Sequence, residues 1–210
     1  MVTNLEIPEQ RVLLQNITWD FFEQLLTELG LKRSVRLAYH KGKLEIMTPN
    51  WEHEYYNRLI ESLIVTLAET LNLNIWLGGS VTLKRVHMNV GKEPASCYYL
   101  KNEPRVRGKK NLDLKVDPAP DLALEIDLIG SSLNQLILYA DLDIPEVWRY
   151  NGSQVSFYQL NHGAYVICNN SPSFPLISGT TIQTYLENCK TEGLITALTK
   201  FRQTIKSVLT

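Results

Sequence analysis

Residues Asp121-Leu-Ala-Leu-Glu-Ile-Asp127 place three carboxylates at a spacing that could hold a divalent cation. The alternation predicts a strand, because successive strand side chains point to opposite faces. Leu122, Leu124, Ile126 and Leu128 then share one face, and Asp121, Ala123, Glu125 and Asp127 share the other. Neighbours on one face lie roughly 6.6 Å apart, so Glu125 and Asp127 repel each other. Asp is also a poor strand former. Two circumstances would make the arrangement tolerable. The face could be open to water, or it could hold an ion such as Mg²⁺, which binds one or two carboxylates together with phosphate oxygens and waters. Asp121 is roughly 13 Å from Glu125 along an extended strand, so a shared ion would require a bulge.

Other residues invite a chemical reading. His53 lies between Glu52 and Glu54. These three could ligate a metal, or could simply be a surface helix start whose acids suit the macrodipole. Lys101, Arg105, Arg107, Lys109, Lys110 and Lys115 outnumber Glu103, Asp113 and Asp117 in a stretch without periodic pattern. That stretch is either a phosphate-contacting loop or a solvated one, and it lacks interleaved aromatics for base stacking. Ser131-Ser132 reads as a helix cap rather than a nucleophile. Trp148 reads as a buried strand residue rather than a base-stacking one. Phosphate-loop and nucleophile-elbow motifs are absent. The chain has no lysine between Lys115 and Lys190, and Arg149 is the one arginine in that span. No ammonium near in sequence can therefore serve Glu125. A guanidinium is too basic to act as a proton acceptor.

The elements that must position these residues follow from pattern. Thr18 caps a helix over Trp19–Leu29, stopped by Gly30. Val35–Tyr39 and Leu44–Met47 form a hairpin around Lys41-Gly42. Trp51–Leu71 is a long helix with apolar residues recurring every four positions. Short strands are expected at Ile75–Leu77, Val81–Arg85 and Ala95–Leu100, with a polar stretch over 86–94. After the acidic strand, a serine caps a helix whose apolar side is Leu133, Leu136, Ile137 and Ala140. Three strands follow, over 146–150, 154–160 and 164–168, linked by Asn151-Gly152 and Asn161-His162-Gly163. The C-terminal stripe Leu194, Leu198, Phe201, Ile205 and Val208 offers core packing or a homodimer surface. This order predicts an α/β (α+β) fold, a mixed sheet covered by helices.

Composition bounds the remainder. The 210 residues suit one domain over 1–210, with an extended arm at 1–17 and a helix at 190–210. The net charge of −1 gives no global pull toward nucleic acid. Three scattered cysteines, Cys97, Cys168 and Cys189, fit a reducing, cytoplasmic setting and no zinc site. No apolar run reaches the ~20 residues of a membrane span.

Several blocks together resemble a known family. Tyr39-His-Lys-Gly-Lys-Leu-Glu-Ile-Met-Thr-Pro49 with Glu52-His53-Glu54, Glu93-Pro-Ala-Ser-Cys-Tyr-Tyr99, Pro118-Ala-Pro-Asp-Leu-Ala-Leu-Glu-Ile-Asp127, Ser131-Ser132 and Ile144-Pro-Glu-Val-Trp-Arg149 are similar, in order, to the motifs of the Uma-type restriction endonucleases. The resemblance spans about residues 20–185. It implies a restriction-endonuclease-like fold of the PD-(D/E)XK type, with a mixed central sheet flanked by helices. It also implies Mg²⁺- or Mn²⁺-dependent hydrolysis of DNA, in which the metal lowers the pKa of a bound water. Glu125 matches the metal-binding Glu, and Glu52 or Glu54 could match an additional helical Glu. Asp127 lies where the usual pattern has its Lys, and Asp121 could stand in at the metal. Arg105, Arg107, Lys109 and Lys110 would contact nucleic acid. Two positions depart from the family: Ala95 replaces the expected Asp, and Gln135 the helical Lys. The resemblance therefore implies a nuclease scaffold with weakened or lost cleavage, or a non-catalytic module that binds nucleic acid or protein.

Overall fold

The structure, a computed structural model, describes residues 9–30 and 33–209. Its strands form two sheets rather than the one expected. The first runs β1 (Gln10–Leu14), β3 (Lys43–Thr48), β2 (Arg36–His40), β6 (Val90–Lys92), β5 (Leu83–Arg85) and is antiparallel throughout. The second runs β11 (Ala164–Cys168), β10 (Val155–Asn161), β9 (Glu146–Tyr150), β8 (Leu122–Ile126), β7 (Ser96–Tyr99), β4 (Trp76–Leu77). Among the described residues only β8 and β9 pair in parallel, and α4 (Gln135–Asp141) lies in the crossover that such a pair needs. The other helices are α1 (Trp19–Leu29), α2 (Trp51–Thr70), α3 (Glu103–Val106), α5 (Gly179–Glu192) and α6 (Leu194–Leu209).

Strand β8 sits in the middle of the second sheet with both faces buried. Leu122, Leu124 and Ile126 pack beneath Ile60, Leu63 and Phe201 of α2 and α6. Ala123 packs on the other side with Leu138 and Tyr139 of α4 and with Ala38, Leu83 and Val90 of the first sheet. The predicted division of faces holds. The water-exposed alternative for the acidic face does not, because the first sheet and α4 cover it.

Local differences have local causes. Gln10–Leu14 of the expected arm is an edge strand on β3, and residues 1–8 lie outside the described ones. The polar stretch 86–94 contains β6, paired on both sides. Its Gly91 is required by contact: a Cβ there would lie 2.5 Å from the ring of the fully buried Phe22. Asn134, not a serine, caps α4 by accepting from the Leu136 N–H. Of the predicted apolar side, Leu133 is buried and Leu136 packs against the same cluster, whereas Ile137 is exposed and α4 buries Gln135, Leu138 and Tyr139. The patternless 101–119 stretch contains the short helix α3. In the C-terminal helix the buried residues are Ala197, Phe201 and Ile205, while Leu194 and Val208 are exposed.

Gly91→Ala should lower stability by about 1–3 kcal/mol in urea unfolding, because the added methyl overpacks the Phe22 ring. Phe22→Leu should cost less in that background than alone, a coupling that a double-mutant cycle reads directly.

Candidate functional site

The acidic face of β8 meets a set of cations drawn from distant parts of the chain. Glu125 is 2% exposed. Its Oε1 lies 3.2 Å from the Lys92 Nζ of β6, and its Oε2 accepts a 2.5 Å hydrogen bond from the Tyr139 hydroxyl of α4. Lys92 Nζ also stands 5.7 Å from the Tyr139 ring centroid. Burial, reinforced by the Glu125 charge, pushes the Tyr139 hydroxyl well above its ordinary pKa. It therefore stays protonated and remains a donor. The lysine that sequence proximity could not provide comes from a strand 33 residues upstream.

Asp127 follows β8 and is also buried. Its Oδ2 accepts from Arg149 at 2.5 Å and its Oδ1 from Arg11 at 3.4 Å. Arg11, on β1, bonds Glu9 at 2.8 Å through Nε and Glu45 at 3.0 Å through Nη1. Burial works against the Arg11 charge, but Glu9, Glu45 and Glu125 outweigh it and raise its pKa. Glu45, on β3, accepts from the Ser131 hydroxyl at 2.9 Å, the Ser132 N–H at 2.7 Å and the Gln135 amide at 3.3 Å. Ser131 is thus a ligand of Glu45 and not the cap of α4. The repulsion expected along β8 is balanced by the protein's own ammonium and guanidinium groups. A single buried pair broken on one side costs about 3–5 kcal/mol, which is why these cations sit within bonding reach.

The helical candidates separate. Glu52 is exposed. Glu54 pairs with Arg36 of β2. His53 is 1% exposed, with Nε2 3.4 Å from Arg36 Nη1, which corrects the surface-helix reading. The preceding turn is closed by Asn50, which accepts from the His53 N–H. The neighbouring His53 side chain, with Arg36 in support, holds the Glu54 carboxyl down at about 2.

Asp121 lies at the other end of β8. Its Oδ2 accepts from the Leu100 and Asn102 N–H groups at 2.7 and 2.8 Å, and its Oδ1 from the Asn102 amide at 2.8 Å. The carboxylate thereby pins the start of the basic stretch and stands apart from Glu125. Arg105, Arg107, Lys109 and Lys110 are all exposed. Arg107 is bonded to Glu103, and Lys109 to Asp117. Ala95 is buried in the core layer beneath α2, its carbonyl accepting from Asn57. Trp148 is fully buried and donates to Glu146.

A Mg²⁺-type ion requires oxygens converging to about 2.1 Å from one point. Among the described residues, no three His, Cys, Asp or Glu side chains converge in that way. Glu125 already spends one oxygen on Lys92 and the other on Tyr139. With Lys92 and Arg11 seated, these residues do not fit a divalent ion.

A family model confirms the resemblance. The Uma2 model, described as "Putative restriction endonuclease", matches residues 19–187, and the chain belongs to that family. No curated protein sequence matches the chain. Among solved structures it is similar to a protein from Anabaena variabilis described as "a putative nuclease belonging to DUF820", with TM-score 0.55 and 15% identity. That match covers 81% of this chain and 99% of the other, and it shows a shared nuclease-like fold. Among the described residues, no helix is long and apolar enough to cross a membrane.

Lys92→Met and Glu125→Gln should each destabilise by about 3–5 kcal/mol, since each strands a buried partner. The double variant should cost clearly less than the two combined, as measured by urea unfolding. Glu54→Gln should lower the melting temperature at neutral pH. The folded carboxyl titrates at about 2 against an ordinary 4.5, so the ionised form is the favoured one. The deficit should persist above pH 4.5 and fade as pH falls toward 2.

Proposed function

We propose that this chain is a nuclease-scaffold member of its family whose metal pocket has been replaced by internal ion pairs, leaving weak or no Mg²⁺-dependent cleavage of DNA. One observation carries the reading: the Lys92 ammonium lies 3.2 Å from Glu125, on the carboxylate that matches the family's metal-binding Glu. Tyr139 occupies the second oxygen. Ala95 supplies no carboxylate at the position where the family implies one, and Gln135 turns its amide to Glu45 rather than offering an ammonium. Lys92 is itself 4% exposed and pinned by the carboxylate it neutralises. Such a lysine is poorly placed to orient an attacking water at a phosphate.

The chemistry follows from these placements. Metal-assisted hydrolysis needs a cation with open coordination positions facing the phosphate. An ammonium already bonded to Glu125 supplies charge but no Lewis-acid site and no activated water. Arg149 and Glu54, each more than a third exposed on the side chain, present the polar outer edge of this region. Nothing in this arrangement calls for cleavage. It keeps a sequence of family type folded without a metal.

The decisive experiment incubates purified protein with supercoiled and linear DNA in Mg²⁺ or Mn²⁺. Wild type should cleave no faster than Glu125→Ala. Metal-dependent cleavage that Glu125→Ala abolishes would overturn the reading. The combination Ala95→Asp, Gln135→Lys and Lys92→Val should restore measurable cleavage if folded by circular dichroism. A folded but inert combination would count against Glu125 as the metal position.

A further inference from the structure

Strand β11 forms one edge of the second sheet. Its register with β10 runs unbroken from Asn161↔Ala164 to Phe157↔Cys168. The connecting turn is His162 and Gly163, with φ of 47° and 80°. A two-residue turn of this kind closes on a pair that exchanges both backbone hydrogen bonds, and such pairs alternate along an antiparallel ladder. Ala164, Val166 and Cys168 therefore bond to β10. Tyr165 and Ile167 turn their N–H and C=O groups outward, where no strand among the described residues meets them.

A sheet edge templates pairing with another strand unless charge, proline, a bulge or short length blunts it. The other three edges are blunted. Strand β4 has two residues, β5 has three and carries Lys84 and Arg85, and β1 turns Arg11 inward. Strand β11, Ala164-Tyr-Val-Ile-Cys168, has five residues and none of these devices. Its Val166 and Ile167, on opposite faces, are 45% and 68% exposed.

We propose that β11 pairs antiparallel with β11 of a second copy about a two-fold axis through Val166, joining the two six-stranded sheets. The parity of the backbone groups selects this register. Tyr165 of each copy exchanges both bonds with Ile167 of the other, and the two Val166 residues stand opposite each other between them. A strand whose outward residues straddle one central position is complementary to itself, as a two-fold interface requires. The side chains agree. Val166 meets Val166 on one face, and on the other an aromatic ring meets a β-branched chain, a favourable cross-strand pair. The Tyr165 hydroxyl is already anchored, donating to the Ile144 carbonyl at 2.5 Å. No charge on β11 would select a charged partner or repel an identical strand. Glu125 and its partners take no part, so this inference stands apart from the proposed function.

The test is sedimentation velocity on the full chain over a concentration series. Wild type should associate to a dimer. Val166→Lys sets two ammonium groups face to face and should raise the dissociation constant at least roughly tenfold, with circular dichroism unchanged. Ile195→Lys, on the exposed side of α6, should leave it unchanged. Cross-linking reads the register, in a Cys168→Ser background with Cys97 and Cys189 buried. Val166→Cys should form an intermolecular disulfide on mild oxidation, because partners of its pair type bring their Cα atoms to about 4.5 Å. Ile167→Cys is at the more exposed position but faces Tyr165, so it should cross-link more slowly. Three results would overturn the inference. They are a wild type monomeric at every concentration, a dimer that survives Val166→Lys or is lost in Ile195→Lys, and Ile167→Cys cross-linking as fast as Val166→Cys. If Val166→Lys does not fold, the cross-linking comparison decides.

Discussion

Neutralisation of carboxylates on the inner face of β8 organises this molecule. Both faces of that strand are covered, so Glu125 cannot rely on water to screen its charge, and neither can Asp127 beside it. Bare charges at such depth would cost several kcal/mol each. The compensation fixes where other elements go. It ties β6 to β8 through Lys92, α4 to β8 through Tyr139, β9 to β8 through Arg149, and β1 to both sheets through Arg11. The apolar packing around Ala123 and Leu138 supplies the attraction between these layers. The ion pairs select their register, since a slip of one residue on β6 would turn Lys92 away from Glu125.

Much of this framework was legible in the sequence. The alternation in Asp121–Asp127 located β8 and divided its faces correctly, because a leucine-rich period of two has one structural meaning. Thr18, Asn151-Gly152 and the four-residue repeat in α2 marked their elements for the same reason. The cations were not legible. Lys92 sits in a three-residue strand with a glycine at its centre, too short to show a period. Arg11 looked like part of an arm because an edge strand of five residues carries little apolar signal. Glu45 was visible only as one letter in a hairpin. In β3 the consecutive residues Leu44 and Glu45 are both buried, so burial does not alternate there and polarity could not mark an outer face.

The family resemblance pointed to candidate residues but not to their partners in the fold. It pointed to Glu125, Ala95 and Gln135, and the two departures suggested loss. The structure adds how the buried Glu125 charge is met. A buried carboxylate carries a charge that must be met, and a lysine can meet it only from an element facing that carboxylate. Gln135 cannot do so from α4, where it already serves Glu45. Lys92 can, because β6 packs against the same face. Ala95 then needs no charge of its own and joins the core beneath α2.

The two ends of β8 handle their acids in different ways, and the difference bears on where change can occur. Asp121 is held by two backbone N–H groups and one amide, all within a tight turn. Backbone donors cannot leave without unfolding the turn, so that end is fixed. Glu125 and Asp127 are held by long side chains from other elements. Those contacts depend on how the elements carrying the side chains are packed. Of those elements, β6 is locked between two neighbours, while β1 has a single strand partner. The Glu125 pair is therefore carried by the more enclosed strand, and the Arg11 pairs by the sheet edge.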